Sequence, residues 1–292
     1  MKIKIKAYDF MISPIKNAMT VDVEDYFQVG AFENDIDRRD WDSLECRVER
    51  NVDVILGMFN DHSVKATFFT LGWVAERYPH IIRKIVDGGH ELASHGMSHM
   101  RVSDQNRAEF TNDVVSSKKL LEDIGGTAVE GYRAPSFSIG EGNLWALEVL
   151  HEAGYKYSSS IYPIRHDHYG MPSAPRFVFS PIEAEDFLEM PVTTVEVMGR
   201  KIPCGGGGYF RLLPYFLSRS AMRRVNGRDA QPCIFYFHPW EIDPEQPRQR
   251  NASLKSKFRH YTNLQIMESK IRKVLTEFSW GRMDEIFLGN QG

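Results

Sequence analysis

The chain has 292 residues, 42% hydrophobic and 26% charged, which suits a folded soluble protein of one large α/β domain or two modest ones. A formal net charge of -3 gives no overall electrostatic case for nucleic acid or an acidic membrane surface. Cys46, Cys204 and Cys233 are odd in number and widely spaced, which fits neither a disulfide framework nor a zinc knuckle.

The start, Met1 to Lys6, carries a charge at every second residue and no apolar run of signal-peptide length follows it. No segment approaches the roughly 20 apolar residues that span a bilayer. The expectation is a cytoplasmic protein without a transmembrane segment. In chain order, a strand at Asn17–Val23 follows an N-terminal extension (1–16) and ends in the acidic run Asp22-Val23-Glu24-Asp25. Residues 26–50 read as an insertion rich in charged and aromatic residues. Strands are then expected at Lys65–Leu71, His90–Ser94, Val129–Tyr132, Tyr157–Ser159, Phe187–Pro191 and Cys233–Phe237. Helices are expected at Glu49–Asp61, His80–Asp87, Arg107–Ile124 and Asn143–Ala153, the third stopping at Gly125-Gly126. This alternation is the pattern of βα units and predicts a barrel-like β/α fold over residues 17–243. The glycine cluster Gly205 to Gly208 can turn sharply or approach a ligand, but without a following Gly-Lys-Ser/Thr it is no phosphate loop. Residues 244–292 read as a polar segment and a helix near Leu264–Phe278 that packs back.

His95 and His99, four apart, are expected one turn from each other on a helical start, where both could grip one metal ion. The acids at the end of the first strand supply carboxylates, and two imidazoles with one carboxylate leave coordination positions open, as hydrolytic metal sites need. His90 and His95 are five apart and share no helical face, so His90 reads as structural.

The ordered series Asp22 to Asp25, Ala66-Thr67-Phe68-Phe69, Gly89-His90-Glu91, Ser94 to His99, Arg133-Ala134-Pro135 and Phe237-His238-Pro239 resembles the polysaccharide deacetylases with a NodB-homology domain. Thr20 to Phe27, Ser159 to Asp167 and Gly205 to Pro214 look like the branch associated with exosortase and exopolysaccharide loci. The resemblance implies a distorted (β/α) barrel and removal of N-acetyl groups from amino sugars with a divalent metal, zinc by default, with cobalt, manganese or nickel also accepted. It implies Asp22 as general base, His238 as the acid that protonates the leaving amine, and Arg133 as the partner that orients Asp22. His95 and His99 become ligands. The carboxylate ligand is Asp25 on residue type or Glu24 on strand alternation, with Asp25 preferred.

Two positions depart from the family pattern. Ser136 stands where a tyrosine commonly follows Pro135, leaving backbone oxyanion donation. Ser158 replaces an aspartate that commonly helps hold the arginine and histidine, so Glu241 or Asp243 is expected to orient His238. Tyr26, Pro135, Ser136, Tyr209 and Trp240 are the expected substrate contacts, with Phe27, Trp41 and Phe210 completing an aromatic rim. The implied substrate is an N-acetylated exopolysaccharide or its lipid-linked oligosaccharide precursor, in association with an exopolysaccharide assembly machinery. The alternatives are a cyclic amide or imide hydrolase of the same fold and a glycan-binding pseudo-enzyme, the latter motivated by Ser136 and Ser158.

Overall fold

The computed structural model describes residues 15–166, 169–184 and 186–289, so most of the N-terminal extension and Asp167 lie outside the described residues. At its centre is β1 (Lys16–Val23), which pairs in parallel with β2 (Thr67–Thr70), and the sheet continues through β3 (Glu91–Ser94), β4 (Gly131–Tyr132), β5 (Tyr157–Ser158) and β6 (Leu188–Glu189). A two-stranded antiparallel ribbon follows, β7 (Thr194–Val197) and β8 (Arg200–Pro203). On its other edge β1 takes two late strands, β9 (Ile234–Phe237) against Ala18 to Val21 and β10 (Ser279–Gly281) against Lys16 to Ala18. All eight strands of the main sheet run parallel to their partners, and helices cover its outside.

The two-residue period of a strand assigns the faces of β1. Met19, Val21 and Val23 pack outward against α1 (Val48–Asp61) and α9 (Leu264–Glu277), through Val52, Ile55, Phe59, Met267 and Ile271. Ala18 turns inward to meet Phe69, Ala93 and Tyr157, and Thr20 and Asp22 follow on the same face. Gly131 is a glycine because Tyr157 crosses it: a Cβ there would sit 2.2 Å from the phenol oxygen. That hydroxyl donates to Glu91 Oε1 at 2.7 Å, and Thr67 Oγ1 donates to Glu91 Oε2 at 2.5 Å. The backbone N–H groups of Met283 and Asp284, just after β10, reach Thr67 Oγ1 and Glu91 Oε2 and close the end where the strands begin.

The second hydrophobic cluster joins α4 (Arg107–Gly125) and α5 (Trp145–Glu152) to the far half of the sheet through Phe110, Val114, Leu121, Leu147 and Leu150. Each such fully buried aliphatic or aromatic side chain contributes up to about 1.5–3 kcal/mol. Helix α4 begins with a reciprocal capping box between Asn106 and Glu109 and ends on Gly126 at φ +65°, the stop at Gly125-Gly126 being the one its sequence predicts. The remaining helices are α2 (Gly72–Arg77), α3 (Pro79–Asp87), α6 (Gly207–Leu212), α7 (Tyr215–Arg224) and α8 (Leu254–Tyr261). No disulfide joins the three cysteines, and no helix among the described residues is long and apolar enough to cross a membrane.

Candidate active site

The chemistry-bearing residues collect just at or beyond the C-terminal ends of β1, β3, β4 and β9, where parallel strands of a β/α fold present their loops. Asp22 is the penultimate residue of β1 and Glu24 follows two positions later on the same face. His95 leaves β3, Arg133 leaves β4 and His238 leaves β9.

Glu24 Oε2 lies 2.7 Å from His99 Nε2 and 4.0 Å from His95 Nε2, and the three side chains are buried. One ligating atom from each falls within 4.8 Å of the others. Glu24 Oε2 receives no hydrogen bond of acceptable geometry, although it is buried. His95 Nδ1 pairs with the carbonyl of Arg133 at 2.8 Å, which fixes a tautomer with Nε2 free to ligate. A buried carboxylate oxygen without a donor, facing two imidazole nitrogens, is a donor set that fits a divalent cation. Burial opposes ionisation of Glu24, but His99, His238 and His95 together hold its carboxyl well below the usual range. Burial pushes His95 down to about 4, so it stays neutral and available as a ligand.

The preference for Asp25 as the carboxylate ligand is corrected by this geometry. Asp25 points the other way and ties the strand end to the start of α1, accepting from the backbone N–H of Tyr26 (2.7 Å), Arg47 (2.5 Å) and Val48 (2.8 Å) and from Cys46 Sγ (3.1 Å). Strand alternation, not side-chain length, decides which acid reaches the histidines. The helical start expected for His95 and His99 is also replaced by a loop. Gly96 and His99 take left-handed conformations, φ +77° and +54°. The carbonyls of Gly96 and Met97 accept from the N–H groups of Gly72 and Trp73 at the start of α2, and Asp113 Oδ1 accepts from Met97 N.

Arg133 is fully buried and reaches Asp22 Oδ1 at 2.6 Å and Thr20 Oγ1 at 2.7 Å with one nitrogen, while Ser159 Oγ accepts from another at 3.0 Å. The ring of Phe69 lies under the guanidinium, 4.1 Å from Cζ. Asp22 Oδ2 is left facing His238 Nε2 at 3.8 Å. His238 Nδ1 meets Glu241 Oε2 at 3.3 Å, and Glu241 is itself held by Arg211 Nε at 2.7 Å. Burial disfavours the imidazolium, but Glu24, Glu241 and Asp22 together raise His238 to about 9. Of the two carboxylates expected to orient His238, Glu241 does so. Asp243 instead binds Arg47 Nε at 2.5 Å. Ser158 sits buried behind Ser160, its hydroxyl 2.8 Å from Ser160 Oγ.

A cavity of about 600 Å³ opens onto these groups, lined also by Ser136, Phe137, Tyr209, Tyr236 and Trp240. Ser136 and Phe137 hold consecutive left-handed conformations, φ +56° and +51°, at its wall. Such strain costs of order 1–3 kcal/mol per residue and is retained where surrounding structure enforces it. Other expected substrate contacts fall elsewhere. Tyr26 is packed edge-on against Phe27 in the core, together with Trp41, and Phe210 packs on Phe235. Pro135 is buried and does not line the cavity. Trp240 lines it, but its ring stacks with both His238 (5.2 Å) and His260 (4.1 Å) while Nε1 donates to Glu24 Oε1 at 3.1 Å. It therefore steers the carboxylate rather than offering a free face to a sugar. That role, and the Arg211–Glu241 pair, escaped the sequence reading; the spacing His238-Pro239-Trp240-Glu241, a capping-box spacing, was the available signal.

Residues 41–158 match the family described as polysaccharide deacetylase, and residues 159–288 match a domain of unknown function, DUF3473. Residues 41–158 are thus similar to polysaccharide deacetylases, while Asp22 and Glu24 lie ahead of both matched segments. The peptidoglycan-N-acetylglucosamine deacetylase of Bacillus cereus is 37% identical over 95 residues, 32% of this chain and 34% of its own length. The peptidoglycan deacetylase of Helicobacter pylori is 31% identical over 107 residues, 37% of this chain and 36% of its own. The chain thus spans about a third of the length of these curated relatives. Among solved structures, a Mycobacterium smegmatis protein assigned to the polysaccharide deacetylases superposes with a TM-score of 0.60 at 18% identity, covering 94% of this chain and 93% of that one. Puue allantoinase gives 0.58 at 15% identity over 92% and 87%. These likenesses establish the distorted (β/α) barrel and, being shared with an allantoinase, do not select the substrate.

Proposed function

We propose that this protein is a metal-dependent hydrolase that removes N-acetyl groups from amino sugars of a bacterial exopolysaccharide or its lipid-linked precursor. The observation that carries this reading is the buried carboxylate of Glu24 brought together with the Nε2 atoms of His95 and His99, with Asp22 and His238 beside it. Glu24, His95 and His99 would hold the divalent ion, with zinc favoured by two imidazoles and a carboxylate. When bound, the ion supplies Lewis-acid polarisation of the amide carbonyl.

The chain's own groups do the rest. Arg133 occupies Asp22 Oδ1 and leaves Oδ2 to take the proton of the attacking water. The water oxygen bonds to the carbonyl carbon, and His238 Nε2 gives its proton to the nitrogen as the C–N bond breaks, leaving acetate and a free amine. Against burial, the neighbouring carboxylates Glu24, Glu241 and Asp22 favour the protonated imidazole of His238, the form an acid for a poor leaving group must take. The backbone N–H of Ser136, beside the cavity, is the proposed oxyanion donor. The polysaccharide deacetylase segment and the deacetylase relatives support N-acetyl sugars over other amides. The proposed setting is the cytoplasm, next to an exopolysaccharide assembly machinery, and rests on the sequence reading.

The test is acetate release from N-acetylglucosamine oligomers and from a lipid-linked amino sugar by metal-analysed protein, with His95→Ala and Asp22→Asn alongside. The expected result is chelator-sensitive release that falls at least 100-fold in Asp22→Asn and is lost with the metal in His95→Ala. Stoichiometric metal with hydrolysis of cyclic amides alone would replace the substrate class. Glycan binding without any hydrolysis would make the protein a pseudo-enzyme.

A further inference from the structure

The segment from Gln246 to Met267 contains five Lys or Arg residues (Arg248, Arg250, Lys255, Lys257 and Arg259) and no Asp or Glu, in a chain whose formal charge is -3. Its helix, α8, carries two of the most exposed large apolar side chains of the described residues, Leu254 at 85% and Phe258 at 61%. Four residues apart, they form one ridge on the helix, and at 100° per residue Lys255 and Lys257 fall on either side of it. The opposite face is anchored: His260 is buried, stacks on Trp240 at 4.1 Å and meets Gln246 Oε1 at 2.5 Å. Side chains from α8 also line the cavity that holds Asp22 and His238, as does Leu212, 39% exposed, from α6.

We infer that α8 is a membrane-surface contact, in which Leu254 and Phe258 enter the headgroup boundary of an anionic phospholipid bilayer while the flanking cations meet its charge. Apolar side chains ridged between lysines are the pattern of an interfacial helix, whereas a purely electrostatic site for an acidic polymer gives no reason to expose a leucine and a phenylalanine. The overall charge of the chain conceals this basic segment; Glu33, which lines the same cavity, is paired with Arg101. The rigid stack from α8 through His260 and Trp240 to His238 means that docking holds the cavity beside the bilayer. If the deacetylase reading stands, a lipid-linked amino sugar would then enter without leaving the membrane surface.

The test is vesicle flotation of the full chain with phosphatidylcholine vesicles containing 30% phosphatidylglycerol, against phosphatidylcholine alone, in 0.1 M and 0.5 M NaCl. The proposal expects association with the anionic vesicles that weakens at high salt and on neutral vesicles. It expects a drop of at least tenfold in the double variant Leu254→Ser/Phe258→Ser, with thermal melting confirming the fold. Hydrolysis of soluble N-acetylglucosamine oligomers should be unchanged in that variant, so a failed deacetylase reading and a failed membrane reading give different results. Absence of vesicle association, or equal binding by the double variant, would overturn the proposal. Retention of the wild type on a soluble polyuronate but not on vesicles would also overturn it, in favour of an acidic glycan.

Discussion

Glu24 and Asp25 are neighbours of the same charge with opposite tasks, and the pleat of β1 separates them. Glu24→Gln should leave the fold intact and reduce bound metal at least tenfold, measured by elemental analysis after dialysis, because a carboxylate ligand is lost. Asp25→Ala should retain the metal yet lower stability by about 2–3 kcal/mol, since backbone donors at the start of α1 lose their buried acceptor. The reverse pattern would return the ligand role to Asp25. Glu241 permits a second test. Its carboxylate helps hold the His238 imidazolium, so Glu241→Gln should move the alkaline limb of kcat/KM toward lower pH, by roughly one unit. An unchanged limb would mean that Glu241 only braces Arg211. The histidine pair and Asp22, Arg133 and His238 were legible as an ordered set of residue types. The choice between adjacent acids was legible only in the two-residue period, which residue type had outweighed.

At the scale of elements, the long strands and helices followed from periodicity: α1, α3, α4, α5 and α9 lie within two residues of their expected bounds. The ribbon of β7 and β8 was missed because its turn is Met198-Gly199, with Met198 at φ +50°, and a methionine gives no turn signal. Short α6 was hidden inside the glycine cluster. Those glycines do approach something closely, but it is β9: a Cβ on Gly206 would fall 1.9 Å from Tyr236 O, while Gly205 O accepts from Tyr236 N at 2.8 Å. Gly206→Ala must displace β9, the strand that leads into His238, and its left-handed φ of +116° adds strain. We expect a loss of about 3 kcal/mol or more, seen as a fall in melting temperature. A variant that melts with the parent would show that this segment can separate from β9.

Across the whole molecule, several carboxyls are buried away from Glu24 and the two histidines, and they set how stability responds to pH. Glu189, fully buried on β6, is pushed by burial up to about 7, even though the N–H groups of Ser160 and Ile161 donate to it. An acid whose folded pKa lies above its unfolded value stabilises least once ionised, so its contribution is full below about pH 4.5 and declines until about pH 7. A shift of that size corresponds to roughly 3 kcal/mol. Glu189→Gln should therefore flatten the fall of melting temperature across that window, without abolishing it, because Glu91 is raised to about 7 by burial as well. A slope identical to the parent would mean that Glu189 is ionised in the folded chain throughout. The central position of β1 has a further consequence for how the protein is made. Among the described residues its outer edge is covered by β9 and β10, which a ribosome delivers more than two hundred residues after β1 has emerged. Throughout that interval the nascent chain carries an open strand edge, a template for pairing with other chains. Synthesis in the cell should therefore depend on chaperones that shield this edge, and chains terminated before Cys233 should collect in the insoluble fraction.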